Sequence, residues 1–478
     1  YNSLVMIRTF EDAVKYLERF IPTPDKKHPG SLGLERMEQL VSLLGNPQLN
    51  YPIIHIGGTS GKGSTATIIA SILATQYKVG LHTSPHLVRI NERIRIFSRG
   101  PLASSARGPL MKDISDKEFV DLINDVYPAI NKVENSKLGK PSYFEIVTGM
   151  AFLYFKKQKV DIAVIEVGMG GKFDATNVIK PLVAVLTNVG LDHTEVLGDT
   201  VEKIAMDKAG IIKSGIKIVT GAGQPSVIKI IEATGNRQKA KVSLLNRDFS
   251  FKLKKLGEKG SVFDYFGDHT YKNLKLSLLG EHQVENAAIA LRAIELSNYP
   301  IIQLSNNEIR KGLLDAFIPG RLEIIKKHPT VILDGAHNPD KIKALVTAIK
   351  RIYPERRLTA VIAIKSGKDA YGILKEILPI CHEVIFTKFR LTTDLGDTFS
   401  YEPEELIEII KEINSKIKVK VSVHPLSAVE KILRMKIPRL RSGSVRLAKN
   451  SKNFSSLTDI ILVTGSLYLV GEVKKFLK

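Results

Sequence analysis

Ile53-Ile54-His55-Ile56-Gly57-Gly58-Thr59-Ser60-Gly61-Lys62-Gly63-Ser64-Thr65 joins a β-branched run, a glycine-rich turn and the start of a helical pattern. A lysine and two hydroxyls follow the glycines, and apolar Ile68, Ile69, Ile72 and Leu73 then recur at helical spacing. The order is strand, phosphate loop, helix N-terminus. Glycines let backbone N–H groups turn onto an anion, the helix dipole favours negative charge there, and Lys62 can reach terminal phosphates. The stretch predicts a site for ATP or another nucleoside triphosphate on Gly58, Thr59, Ser60, Gly61, Lys62, Gly63, Ser64 and Thr65. It departs from the general pattern in two places. Ile56 stands where the first glycine belongs, and Gly63 stands where a hydroxyl should follow the lysine. The plain alternative is a glycine-rich turn capped by Ser64.

At 478 residues the chain is long for one core, so two domains are expected. With 44% hydrophobic and 25% charged residues it has the composition of a soluble globular protein. No apolar run approaches a membrane span, and no signal-peptide core stands near the N-terminus, which together predict a cytoplasmic protein without a membrane partner. Cys381 is the single cysteine, which rules out an internal disulfide framework. It lies between a helical run and strand-like Val384-Ile385-Phe386, where inert packing is expected. A net charge of +21 admits a nucleic-acid partner. Against that, the lysines are spread out and no aromatics interleave with basic clusters. The same field gathers small anionic substrates.

Short β-rich runs at 53–56, 162–165, 183–186 and 218–219 are separated by amphipathic segments such as 201–212. That alternation predicts an α/β N-terminal domain with a parallel sheet and helices on both faces, of the P-loop NTPase-like kind. Residues 249–279 alternate apolar and polar around glycines and read as antiparallel hairpins. The pattern restarts near Phe317-Ile318-Pro319-Gly320. Strands at 331–333, 360–364, 384–386, 419–423 and 460–463 would then build a smaller, Rossmann-like α/β domain. The expected division is 1–317 and 318–478. Two segments look inserted. One, near 97–113, repeats Arg-Gly-Pro-Leu and reads as a loop; the other, near 436–457, is basic and rich in Ser and Asn.

A phosphate loop needs a divalent cation, and the cation needs a carboxylate at a strand end. The run Asp161-Ile162-Ala163-Val164-Ile165-Glu166 supplies one, followed by Gly168-Met169-Gly170-Gly171. Glu166 is the natural Mg²⁺ ligand. The next strand leads to Asn188 and then His193, which lies beyond the neighbouring strand's end, near where Glu166 should project.

These residues resemble the folylpolyglutamate synthase/dihydrofolate synthase family, which is similar to the Mur ligases. The matching stretches are Gly58 to Ser64, Thr83-Ser84-Pro85-His86-Leu87, Glu166 to Asn177, Gly190-Leu191-Asp192-His193-Thr194 and Asp207-Lys208-Ala209-Gly210. Gly280-Glu281-His282-Gln283 with Asn286, Phe317 to Arg321, Asp334-Gly335-Ala336-His337-Asn338-Pro339 and Val463 to Tyr468 continue the series in order over nearly the whole chain.

The resemblance implies an ATP-dependent ligase that joins L-glutamate to a folate or dihydropteroate carboxylate through an acyl phosphate. It implies that Ser84, Glu166 and His193 hold Mg²⁺, and that Lys62, Lys208 and His193 serve catalysis. Lys208 matches a lysine that is carbamylated in the family. By residue pattern alone it is an ordinary helix-surface lysine. Asn286 matches a position that reads adenine, Asp334 would hold ribose hydroxyls, and Arg321 and His337 would meet phosphates as the second domain closes over the nucleotide. Ser142, Phe144, Phe173, Asp174 and Ala175 fall where the family binds the pteridine. The ordinary readings are Phe144 as core and Asp174 as a cap for the turn that follows. Ser60, Lys172 and Ser142 replace a usual Asn, Arg and Thr. Small-molecule substrates, no nucleic acid and a monomer are expected.

Two rivals remain. A Mur-type ligase acting on a peptidoglycan precursor wants a uridine-diphosphate-sugar domain ahead of the phosphate loop, where about fifty residues stand. A nucleic-acid-binding P-loop ATPase would use the positive charge instead.

Overall fold

The computed structural model describes residues 6–22, 31–98, 110–297, 302–394, 396–413, 416–436 and 460–476. They form two compact units, one within 1–255, 259–317 and 393–396, the other within 256–258, 318–392 and 397–478.

The first unit is built on eight strands: β1 (Ile53–Gly57), β2 (Val79–His82), β3 (Ile94–Ser98), β4 (Leu110–Asp113), β5 (Ile162–Glu166), β6 (Val183–Leu186), β7 (Lys217–Thr220) and β8 (Lys241–Leu244). Their spatial order is β4-β3-β2-β5-β1-β6-β7-β8. From β2 to β8 all neighbours run parallel. The phosphate-loop strand β1 is central, with Ile56 opposite Glu166 of β5 and Gly57 opposite Leu186 of β6. Parallel pairing in that register brings three loops out at one carboxyl edge, where open α/β sheets bind ligands.

The expected parallel sheet is extended at one edge by an antiparallel ribbon, which borders the stretch near 97–113 that the sequence reads as an insertion. β3 pairs antiparallel with β2, and β4 antiparallel with β3. The alternation Ile94-Arg95-Ile96-Phe97 is the strand signal, and Arg95 Nε bonds Asp113 Oδ1 across the ribbon at 2.7 Å. The loop itself, 99–109, lies outside the described residues, as do 437–459 of the second insertion.

Helices cover both faces. α1 (Phe10–Glu18), α2 (Ser31–Leu43), α4 (Asp116–Glu134) and α5 (Tyr143–Lys157) bury Leu17, Met37, Phe119, Phe152 and Phe155 against Ile53, Ala163 and Ile165. α7 (Val201–Lys208) and α8 (Pro225–Arg237) continue that face, packing Ile204 and Ile231 with Ala184, Leu186 and Ile218. Between β1 and β2, α3 (Lys62–Leu73) is buried on every side from Ser64 to Leu73, and it packs with α9 (Glu281–Leu296). Each fully buried Ile or Leu contributes about 1.5–3 kcal/mol, so the helix behind the phosphate loop is anchored by its apolar residues. A short α6 (Thr194–Leu197) precedes α7.

The helix expected over 201–212 ends at Lys208 and tightens into a 3₁₀ turn, Ala209–Ile211. Gly210 explains the close approach there, since a Cβ on it would lie 2.4 Å from the Lys172 Cα. The expected hairpins form a three-stranded antiparallel sheet of Ser250–Gly257, Gly260–Phe266 and Thr270–Leu276.

The second unit has a six-stranded sheet in the order Glu323–Lys327, Thr330–Leu333, Ile460–Thr464, Leu358–Ile362, Cys381–Phe386, Lys418–Val421. Only the first pair is antiparallel. Two strands begin two or three residues earlier than the sequence pattern indicates, at Leu358 and Cys381, because polar Thr359, His382 and Glu383 interrupt the apolar run without breaking the ladder. The Cys381 thiol donates to the Ile377 carbonyl oxygen at 3.3 Å, and burial pushes it up to about 12. A thiol held protonated is a poor nucleophile. No helix among the described residues is long and apolar enough to cross a membrane.

Candidate active site

The phosphate loop is held open by backbone geometry. Gly58 has φ +132° and Gly61 φ +81°, and a Cβ on either would meet Thr187 Oγ1 at 2.0 Å or Asn286 Oδ1 at 2.4 Å. Both positions therefore require glycine. The segment after β6 forms the loop's second wall. Thr59 N donates to the Asn188 carbonyl at 2.9 Å, Ser60 N to Asn188 Oδ1 at 2.8 Å, and Thr187 Oγ1 to the Ser60 carbonyl at 2.6 Å. Thr59 Oγ1 accepts from Gly190 N at 3.0 Å. Thr187 and Asn188 were not singled out in the sequence. The sequence shows only two polar residues closing an apolar run; that this strand lies beside β1 is given by the fold.

Among the hydroxyls, Thr65 is fully buried and donates to Asn286 Oδ1 at 3.4 Å. Asn286 also donates to Gln283 Oε1 at 3.1 Å. Its amide thus sits behind Gly61 as a support of the loop.

Glu166 closes β5 with its carboxylate turned to the helix N-terminus. Its Oε2 accepts from Ser84 N at 3.0 Å, and a Cβ on Gly63 would lie 3.4 Å from that oxygen. Gly63, the departure from the usual motif, is thus in contact range of this acid. The Ser84 contact is made by its backbone. His193 begins α6 in the left-handed conformation, φ 51°. Among the described residues no three His, Cys, Asp or Glu side chains gather into a metal cage. The donor set still suits Mg²⁺, which takes one or two protein carboxylates and completes its shell with water and phosphate oxygens.

Two lysines converge on one carbonyl. Lys62 Nζ and Lys208 Nζ each donate to the Gly58 carbonyl oxygen at 3.1 Å. Lys208 is only 4% exposed, which corrects the helix-surface reading. Burial, and then the charge of Lys62, bring its ammonium down to about 7. The backbone of Asp207 and Lys208 packs on the glycine loop after β5: Lys172 N donates to the Asp207 carbonyl at 3.0 Å, and a Cβ on Gly171 would lie 2.8 Å from the Lys208 carbonyl oxygen.

The expected pteridine residues lie around that glycine loop. The half-buried Phe144 ring stacks on His82 at 6.0 Å and lies under Gly168, where a Cβ would be 2.5 Å from its Cζ. Phe173 packs under the Lys172 ammonium at 4.8 Å. Asp174 and Ala175 are buried. Asp174 Oδ2 accepts from Met169 N at 2.9 Å, and Oδ1 from Thr176 N at 2.9 Å and Thr176 Oγ1 at 2.5 Å. Asp174 is therefore first the cap that shapes its own loop. Burial raises its carboxyl above the usual range, and the bonds from Thr176 and Met169 oppose that rise.

Ser142 likewise caps α5, accepting from Glu145 N at 3.2 Å while Glu145 Oε2 accepts from Ser142 N at 3.1 Å. Arg36 locks the same carboxylate with two bonds, 3.0 and 2.9 Å. The pair is buried, so breaking it leaves a charge without its partner. Arg36→Met should lower stability by about 3–5 kcal/mol, seen as an earlier first transition in denaturant; an unchanged midpoint would mean the pair is inessential.

In the second unit, Asp334 follows the strand Thr330–Leu333. Its Oδ2 accepts from Leu322 N and its Oδ1 from Ala336 N, both at 2.9 Å. Burial raises this carboxyl, and Arg321 opposes the rise. The acid expected to hold ribose hydroxyls thus organises the turn on which Arg321 and His337 stand. His337 Nδ1 donates to the Gly335 carbonyl at 2.7 Å and Nε2 accepts from Lys341 at 3.0 Å, which fixes the tautomer.

Comparison with known proteins agrees with this geometry. A Mur ligase middle domain model matches residues 129–294, and a dihydrofolate synthetase C-terminal domain model matches residues 321–477. A dihydrofolate synthase/folylpolyglutamate synthase of Bacillus subtilis (strain 168) is 34% identical over 462 residues, 93% of this chain and 95% of that protein. The solved Mycobacterium tuberculosis folylpolyglutamate synthase complexed with ADP has a TM-score of 0.83 at 29% identity, covering 98% of both chains. The Escherichia coli FolC in complex with DHPP and ADP has a TM-score of 0.78 at 27% identity, covering 99% of this chain and 98% of its own. With its phosphate loop, strand-end glutamate and glycine loop in one sheet edge, this chain belongs to the folylpolyglutamate synthase/dihydrofolate synthase family of the Mur ligase superfamily.

Proposed function

We propose that the chain is an ATP-dependent ligase that joins the amine of L-glutamate to the carboxylate of a folate, of dihydropteroate, or of both. The substrate carboxylate attacks the γ-phosphate of ATP, giving an acyl phosphate and ADP. The glutamate amine then attacks the acyl carbon, an amide forms, and inorganic phosphate and a proton leave. Such chemistry needs positioning and charge neutralisation rather than a protein nucleophile. The observation that carries the reading is the convergence of Lys62, Lys208 and the Gly58 backbone beside Glu166, an arrangement suited to gathering phosphate oxygens.

The loop amides from Gly58 to Ser64 and the Lys62 ammonium bind the β- and γ-phosphates. Glu166 and His193, with Ser84, hold Mg²⁺, which when bound neutralises charge on the phosphate oxygens. Arg321 and His337 are further ATP contacts, with Asp334 fixing their turn, and Asn286 supports the phosphate loop on the adenine side. Phe144 stacks on the pteridine, while Ser142, Phe173, Asp174 and Ala175 shape its pocket. Lys208 carries a carbamate: its neutral amine adds to carbon dioxide, forming an N–C bond and releasing a proton.

Separate incubations with dihydropteroate and with tetrahydrofolate, each with glutamate and Mg-ATP, test the reading by product mass. A gain of one glutamate residue with stoichiometric ADP is expected with at least one substrate. ATP turnover that ignores glutamate and both pteridines but responds to DNA or RNA would overturn it in favour of a nucleic-acid-dependent ATPase.

A further inference from the structure

His55 lies on β1, two residues before the phosphate-loop glycines, and is fully buried. Its Nε2 sits 2.8 Å from Thr176 Oγ1, and that hydroxyl sits 2.5 Å from Asp174 Oδ1. The proton count fixes the direction. Both Asp174 oxygens accept backbone N–H bonds, from Met169 and Thr176, which favour the carboxylate against burial; as a carboxylate it only accepts, so the Thr176 hydroxyl donates to it. Its remaining lone pairs then accept from His55, which places the imidazole proton on Nε2. Burial, with the charge of Lys213, keeps the ring neutral by bringing its pKa down to about 3.

That tautomer leaves Nδ1 as a bare acceptor, and this buried atom has no hydrogen-bond partner among the described residues. A buried polar atom without a partner costs about 1–3 kcal/mol. An apolar side chain at this strand position would avoid the cost. The side-chain bond that the imidazole makes is through its other nitrogen, to Thr176.

We propose that His55 is a positioning residue that acts through Thr176 on Asp174. It ties the glycine loop that shapes the pteridine pocket to the strand that carries the phosphate loop. Asp174 Oδ2 takes Met169 N, so one carboxylate sets the path of the loop from Met169 to Thr176. The relay sets how that loop lies relative to the bound nucleotide's phosphates, where the substrate carboxylate must arrive. A core histidine of purely structural value would change stability when replaced, with no preference between substrates.

The inference rests on the reading that Asp174 serves the pteridine side. Thr176→Val keeps the shape and removes the hydroxyl, whereas Thr176→Ser keeps the relay. His55→Leu removes the donor, whereas His55→Gln can place an amide N–H near the same point. Steady-state turnover with the pteridine that the wild type accepts should show KM for that substrate rising about tenfold in Thr176→Val and His55→Leu. KM for ATP should stay within about twofold, and Thr176→Ser and His55→Gln should recover most of the loss. In a double-mutant cycle, Thr176→Val should add little on an Asp174→Ala background, because both act through one carboxylate. Equal KM values for Thr176→Val and Thr176→Ser, parallel rises for ATP and pteridine, or independent effects in the cycle would overturn the relay. An unchanged pteridine KM in Asp174→Ala alone would instead overturn the pteridine assignment of Asp174, and the relay with it.

Discussion

Lys62→Ala is expected to cut kcat by about 10²–10³-fold or more while the protein unfolds at nearly its wild-type temperature. The two outcomes separate because the side chain has little to do with holding the fold. Lys62 is half-buried at the first turn of its helix, and its ammonium bonds the Gly58 carbonyl, which water can serve equally well. Substitutions of that kind usually change stability by no more than about 0.5 kcal/mol. In the transition state the same ammonium faces charge spread over the transferring phosphoryl oxygens, where preorganised positive charge has its largest effect. Single-turnover rates with saturating ATP, set beside thermal unfolding, test both halves. Turnover within a few-fold of wild type would remove Lys62 from the mechanism.

The contrast between what sequence reading reached and what it missed has a physical basis. The phosphate loop was legible because its requirement is local: left-handed or crowded positions at Gly58 and Gly61 demand glycine, and the apolar helix that follows is periodic. The place of Glu166 was legible because a single acid closes an apolar strand there, and strand ends are where such sheets bind ligands. Thr187 and Asn188 were not, since what they do depends on β6 lying beside β1, a non-local pairing. The edge ribbon β3–β4 was obscured by the inserted stretch that separates its strands. Asp174 and Asp334 show a deeper limit. A carboxylate near a glycine turn can receive a ligand's donors or its own backbone's, and both residues spend their oxygens on backbone amides. Lys208 is the extreme case. Its helix is short and Lys208 is its last residue, so nothing local signals that the side chain is buried against the phosphate loop; the family resemblance alone marked it.

Lys208→Arg should be almost inactive, and the reason lies in the shared carbonyl. Lys62 and Lys208 both reach the Gly58 oxygen, so their ammonium nitrogens stand no more than about 6 Å apart. Two like charges at that separation repel by about 3 kcal/mol at an effective dielectric of about 20. A carbamate on Lys208 converts that repulsion into attraction and adds an anionic oxygen donor where phosphates and Mg²⁺ gather. The reaction with carbon dioxide needs the neutral amine. An ordinary lysine offers that form about once in a few thousand molecules at pH 7. With its ammonium brought down to about 7, Lys208 offers it about half the time. Activity measured after degassing should therefore fall and return on adding bicarbonate. The loss should be greatest below pH 7, where the ammonium prevails, and least above it. Arg keeps the positive charge and cannot be carbamylated, so bicarbonate should not help Lys208→Arg. Lys208→Ala should recover in part with a short carboxylic acid in the buffer, which can occupy the vacated space. Full activity in Lys208→Arg, indifferent to bicarbonate, would show that the buried lysine works as a cation and that no carbamate forms.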